Sequence, residues 1–153
     1  MNYLKKPVYL DYAATTPVDP EVADLMRHYM VEEFGNAGSR THEYGTRAKQ
    51  AVQKARQQLA TIAGCQPDDV IFTSGATESN NLAILGLRKH GEETGKKHII
   101  STAIEHKAVL EPLEHLRDEY GFEVDFIRPG LSGAIEAQQV EELLREDTLM
   151  VSV

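Results

Sequence analysis

Val70-Ile71-Phe72-Thr73-Ser74-Gly75-Ala76-Thr77-Glu78-Ser79-Asn80-Asn81 is the stretch on which the reading of this chain turns. It opens with β-branched and aromatic residues, the composition of a short buried strand. It passes through small and hydroxyl residues around one glycine, then runs into Leu82-Ala83-Ile84-Leu85, which reads as a buried helix. A strand that enters a helix through such a turn leaves backbone N–H groups unpaired at the helix start. Those groups and the positive end of the helix dipole attract phosphate. The hydroxyls of Ser74 and Thr77 add donors. The same residues also spell an ordinary capped helix, with Ser74 or Thr77 as N-cap and Glu78 supporting the first turn. Local grammar leaves both readings open. It excludes a P-loop, because no Gly-Lys-Ser/Thr follows, and the dinucleotide fingerprint, because the three-glycine spacing is absent.

Upstream, Val8-Tyr9-Leu10 is extended and leads into a small, polar loop, Asp11 to Pro17. Asp19-Pro20 pairs an N-cap with a proline at the first helical position. Val22, Leu25, Met26, Tyr29 and Met30 follow at helical spacing, and Gly35 is expected to end that helix. After a loop from Phe34 to Arg40 comes a long helix with the stripe Tyr44, Ala48, Val52, Ala55, Leu59 and Ile62, closed by Gly64. Its basic residues read as a solvated face. Downstream, the expected order is a polar connection from Gly91 to Lys97, a strand at His98-Ile99-Ile100, and a helix from Lys107 to Tyr120 with Pro112 in its first turn. A strand from Phe122 to Ile127, a helix from Glu136 to Arg145 with Val140, Leu143 and Leu144 inward, and a strand at Leu149–Val153 complete it. This alternation implies an α/β fold with a mostly parallel sheet flanked by helices. The last apolar strand runs straight to Val153, so the chain is expected to be the first part of a longer protein.

Bulk properties narrow the function. The 153 residues are 41% hydrophobic and 26% charged, as in soluble globular domains. A net charge of −8 argues against nucleic acid as the main partner. No apolar run reaches membrane-spanning length, and no secretory core is seen near Met1. One cysteine, Cys65, allows no internal disulfide, and a cytoplasmic location is the default. No metal-ligating pattern stands out.

A second constellation, Ser101-Thr102-Ala103-Ile104-Glu105-His106-Lys107, also leaves a strand and enters a helix. Ligands of parallel sheets collect at the C-terminal ends of the strands. A phosphate-holding turn after one strand and an imidazole after the next suggest a phosphorylated aromatic ligand, on which His106 can stack and exchange protons. A helix-terminal histidine without a ligand is the alternative.

These motifs, taken in order, resemble one family. Asp11-Tyr12-Ala13-Ala14-Thr15-Thr16-Pro17, Gly35-Asn36 with Ser39-Arg40-Thr41-His42, Thr73 to Asn81, and Glu105-His106-Lys107-Ala108-Val109-Leu110 look like the N-terminal portion of a cysteine desulfurase of the NifS/IscS type. That family is similar to class V aminotransferases and uses pyridoxal 5′-phosphate (PLP). The resemblance implies an incomplete large domain of a fold type I PLP-dependent transferase. It places an N-terminal arm and substrate-side loop at residues 1–20, N-terminal helices at 21–69, and the first part of the PLP-binding domain at 70–153. It implies that Gly75, Ala76 and Thr77 bind the cofactor phosphate. It makes His106 both a cofactor-stacking and a catalytic residue. Ala13, Asn36, Arg40 and His42 fall on the substrate side or near a dimer contact, with loop capping as the alternative for each. Where the family often has Asn-Pro, this chain has Asn36-Ala37, which removes a restraint on Asn36.

The implied function is sulfur removal from L-cysteine, giving L-alanine and an enzyme persulfide. The implied partners are a second copy of the chain and acceptors such as an iron–sulfur scaffold or a nucleic-acid thiolation protein. The family's Schiff-base lysine and nucleophilic cysteine lie beyond Val153, so the chain alone is expected to be inactive, poorly soluble or oligomeric, and unable to fix PLP. Lys107 is turned about 100° from His106 around the helix, and Cys65 reads as a packing residue. A transaminase or selenocysteine lyase of the same fold is the first alternative, and a non-catalytic dimerisation or binding fragment the second.

Overall fold

Asp19 starts the first helix as its side chain requires: Oδ1 accepts from the Glu21 N–H at 2.9 Å, and Pro20 supplies the pre-set first position of α1 (Pro20–Val31). The computed structural model describes residues 7–153. The chain divides into two compact units, one ending at Ile71 and the other running from Phe72 to Val153.

In the first unit, α1 ends at Val31, where the Glu32 N–H caps His28 O, four residues before the expected Gly35. No residue of α1 is buried, and its apolar face of Val22, Leu25, Met26, Tyr29 and Met30 lies exposed. α2 (Glu43–Ala63) is the long helix, and Gly64 closes it in the left-handed region at φ 70°. The Cys65 N–H then reaches Ala60 O at 3.1 Å, so half-buried Cys65 belongs to a helix stop. Of α2 only Gly45, Ala48 and Ala60 are buried, whereas Tyr44, Leu59 and Ile62 from the expected stripe are exposed. A short 3-10 turn, Pro67–Asp69, packs on α2, and Arg56 Nε donates to Val70 O at 3.2 Å.

Val70-Ile71-Phe72 is not the buried strand its composition spells. Val70 is extended at φ −86° and ψ 116°, but a strand exists only through pairing, and this run joins no sheet among the described residues. Ile71 is 67% exposed and Phe72 49%.

The second unit holds α3 (Ala76–Gly86), α4 (Arg88–Thr94), β1 (His98–Thr102), α5 (Lys107–Tyr120), β2 (Glu123–Ile127), α6 (Ala137–Glu141) and β3 (Thr148–Val151). All strand pairs are parallel, in the order β2-β1-β3. β1 is central and buried at all five positions, as a strand paired on both edges and covered by helices must be. His98 pairs with Glu123 and Thr102 with Ile127; on the other side His98 pairs with Thr148, and the register shifts by one before Ile99 meets Met150. Ile84 of α3, Ile99 of β1, Val109, Leu113 and Leu116 of α5, and Phe122 form the core.

Several expectations change here. The polar connection from Gly91 is largely α4. Gly91 faces inward: a Cβ there would stand 2.6 Å from Lys96 O and 2.8 Å from the Phe122 ring. Pro112 is the sixth residue of α5, past the first turn, and is buried. It gives up the N–H that would bond Ala108 O. α6 spans five residues rather than ten; Val140 and Leu143 are half-buried and Leu144 is exposed. In the Leu82–Leu85 segment of α3 only Ile84 is buried.

Candidate cofactor site at two helix starts

The turn ahead of α3 is closed by side chains on both sides of Gly75. Glu78 Oε2 accepts from the Ser74 N–H at 2.6 Å and from Ser74 Oγ at 2.7 Å. Thr73 Oγ1 donates to Gly75 O at 3.2 Å, which leaves Ser79 Oγ as the donor in its 2.7 Å bond with Thr73 Oγ1. The Glu78 carboxyl is held below its ordinary range, first by the Ser74 backbone N–H and then by the Ser74 hydroxyl. Gly75 is the N-cap, in place of the expected Ser74 or Thr77. The Ser74 hydroxyl is spent on Glu78, which removes it as a phosphate donor.

What the turn leaves unspent is the useful part. The N–H groups of Ala76, Thr77 and Glu78 and the Thr77 hydroxyl have no acceptor among the described residues. Ala76 and Thr77 are exposed, and nothing stands within 4 Å of a Cβ position on Gly75. Three N–H donors and a hydroxyl stand unpaired at the positive end of an exposed helix start, a donor set that fits a phosphate.

His106 occupies the corresponding position at α5. The chain leaves β1 at Thr102, the Ala103 N–H still reaches Ile127 O at 2.8 Å, and His106 follows as the N-cap. Its Nδ1 accepts from the Ala108 N–H at 3.1 Å, and its carbonyl accepts from Val109 and Leu110. The ring is exposed. Gly75, Ala76, Thr77 and His106 thus lie in one unit, at the first turns of α3 and α5, which pack against each other. Lys107 is the exposed first residue of α5.

The other four candidates belong to the first unit. Ala13 lies in an exposed turn in which the Ala14 N–H bonds Asp11 O at 3.1 Å. Asn36 Oδ1 accepts from the Gly38 N–H at 2.8 Å, a local turn that holds without the proline restraint. His42 caps α2, its Nδ1 accepting from the Gly45 N–H at 3.2 Å. Arg40 is exposed and makes no hydrogen bond or ion pair among the described residues.

His42 and His106 both cap helices, the capping and helix-terminal placements that the sequence left open as alternatives, although histidine is not among the favoured N-cap residues. One feature escaped sequence reasoning. His98, read as a plain strand residue, is fully buried, with Nδ1 2.8 Å from Thr148 Oγ1 and Nε2 3.1 Å from Asp125 Oδ2. It ties β1 to both neighbouring strands. Among the described residues no helix is long and apolar enough to cross a membrane.

Comparison with known proteins gives this arrangement a context. The family described as aminotransferase class-V matches residues 8–153. The cysteine desulfurase IscS of Stutzerimonas stutzeri (strain A1501) is 50% identical over 98% of this chain, and that of Escherichia coli (strain K12 / DH10B) is 47% identical over 98%. The chain spans 37% of the length of these relatives. Among solved structures, DndA from Streptomyces lividans is 63% identical with a TM-score of 0.80, covering 94% of this chain and 40% of its own. SspA in complex with cysteine is 42% identical with a TM-score of 0.82, at the same coverage of 94% and 40%.

Proposed function

The chain belongs to the aminotransferase class-V family, and from that premise we propose that the complete protein is a PLP-dependent cysteine desulfurase. It takes L-cysteine and yields L-alanine and a protein persulfide. The observation that carries this reading is the 47–50% identity to proteins named as cysteine desulfurases along 98% of the chain. The open donor set at the start of α3 supports it independently.

In this reading the N–H groups of Ala76 and Thr77 and the Thr77 hydroxyl hold the cofactor phosphate, with Gly75 leaving room for it. His106 lies against the cofactor ring. The bound cofactor supplies the electron sink that the chemistry needs. The residues of this chain bind it, orient it and place an imidazole beside it. A substrate-side role for Ala13, Asn36, Arg40 and His42 rests on likeness to the family. The division into arm, helices and cofactor domain, a homodimer, an iron–sulfur scaffold as sulfur acceptor and a cytoplasmic location also belong to this proposal.

The test is product analysis of the complete protein with PLP and L-cysteine. Alanine formed in step with protein-bound sulfane sulfur is expected. 3-Mercaptopyruvate with no alanine and no released sulfur, formed once per cofactor and catalytically only when a 2-oxo acid is added to accept the amino group, would move the protein to the transaminases.

A further inference from the structure

The α5 cap fixes which His106 nitrogen can work. The Ala108 backbone N–H points at Nδ1 at 3.1 Å. A backbone N–H can only donate, so Nδ1 presents a lone pair there and carries no proton. A neutral imidazole then carries its single proton on Nε2. The turn that imposes this is well anchored: Val109 and Leu110 donate to His106 O at 2.8 and 3.1 Å, and Ala108 and Val109 are buried. Nε2 makes no hydrogen bond among the described residues, and the ring is exposed. By contrast, both nitrogens of His98 are engaged, so His106 has a free face that His98 lacks.

We propose that resting His106 meets its ligand as an Nε2–H hydrogen-bond donor, and that its proton exchange is gated by the α5 cap. While capped, neither nitrogen can accept: Nδ1 is spent on Ala108 and Nε2 already holds a proton. To exchange a proton the ring must first leave the Ala108 N–H and take up a proton from solvent at Nδ1. The resulting imidazolium can pass its Nε2 proton to the ligand, leaving the neutral Nδ1–H form. Recapping requires that proton to return to solvent and another to be restored at Nε2. The identity of the ligand rests on the cysteine desulfurase reading; the tautomer does not.

The experiment is nitrogen-15 NMR of histidine-labelled complete protein at pH 8, with His106→Gln used to assign the His106 signals and Ala108→Pro removing the donor. Proline is tolerated in a first helical turn, and this change keeps the histidine side chain while removing its one backbone donor. The wild-type ring should show the Nε2–H tautomer, with a preference about fivefold greater than in Ala108→Pro, the factor expected for one net hydrogen bond. An Nδ1–H tautomer in the wild type would overturn the inference. So would an unchanged preference in a folded Ala108→Pro protein. If Ala108→Pro does not fold, the wild-type preference is compared with that of a free blocked histidine, which it should exceed about fivefold; a preference no greater than the free value overturns the inference. A protein that makes no alanine from cysteine but shows the Nε2–H tautomer would refute the function and leave the cap assignment standing.

Discussion

α1 and α5 are written in the same grammar and end in opposite states. Each is an amphipathic helix with a side-chain cap before its first residue, Asp19 in one and His106 in the other. α5 buries five residues against α3 and the sheet, while α1 buries none. Periodicity therefore declares that a helix has an apolar face, and only a partner surface turns that face into a core.

Cutting both faces gives the sharpest contrast. Leu113 on α5 is fully buried, so Leu113→Ala should cost about 2–5 kcal/mol in chemical denaturation. Leu25 on α1 is 57% exposed, and Leu25→Ala should stay within about 0.5 kcal/mol. Equal losses would mean that the α1 face is covered in solution. Overpacking tests the same core from the other side. Gly91→Ala pushes a methyl toward Lys96 O and Phe122 and should cost about 1–3 kcal/mol; a neutral result would show that α4 can shift away.

The smallest effect is electrostatic. The folded-state pKa of Glu78 is depressed, so its contribution to stability is full above the ordinary glutamate range and fades as pH falls through the folded value. Glu78→Gln should flatten the acid limb of the stability profile relative to wild type. An unaltered acid limb would detach Glu78 from Ser74 in solution.

The legible parts of the molecule were those specified by local chemistry. Asp19-Pro20 and Gly64 fixed helix ends because a cap acts within a few residues. β2 was legible because exposed Glu123 and Asp125 alternate with half-buried Val124 and Phe126, the period-two pattern of a strand covered on one face. The failures lie where a distant partner decides. Val70-Ile71-Phe72 has strand composition, but no neighbour pairs with it among the described residues. α4 carries a glycine mid-helix, and that glycine is there because Phe122 and Leu149 crowd it. At the candidate site, the donors of Ala76 and Thr77 were readable from the turn. The diversion of Ser74 to Glu78 was not, since two side chains compete for one role and only geometry picks the winner.

The central claim is that the first turn of α3 holds the phosphate of PLP, and Thr77 tests it most directly. In the complete protein, PLP retention after dialysis should be compared with that of pyridoxal, which lacks the phosphate, in wild type and Thr77→Val. Losing one hydrogen bond to a charged group costs about 1.5–3 kcal/mol, so Thr77→Val should weaken PLP retention roughly ten- to hundredfold and leave pyridoxal unaffected. PLP retention equal to wild type, or an equal loss for both compounds, would contradict a phosphate site at Thr77.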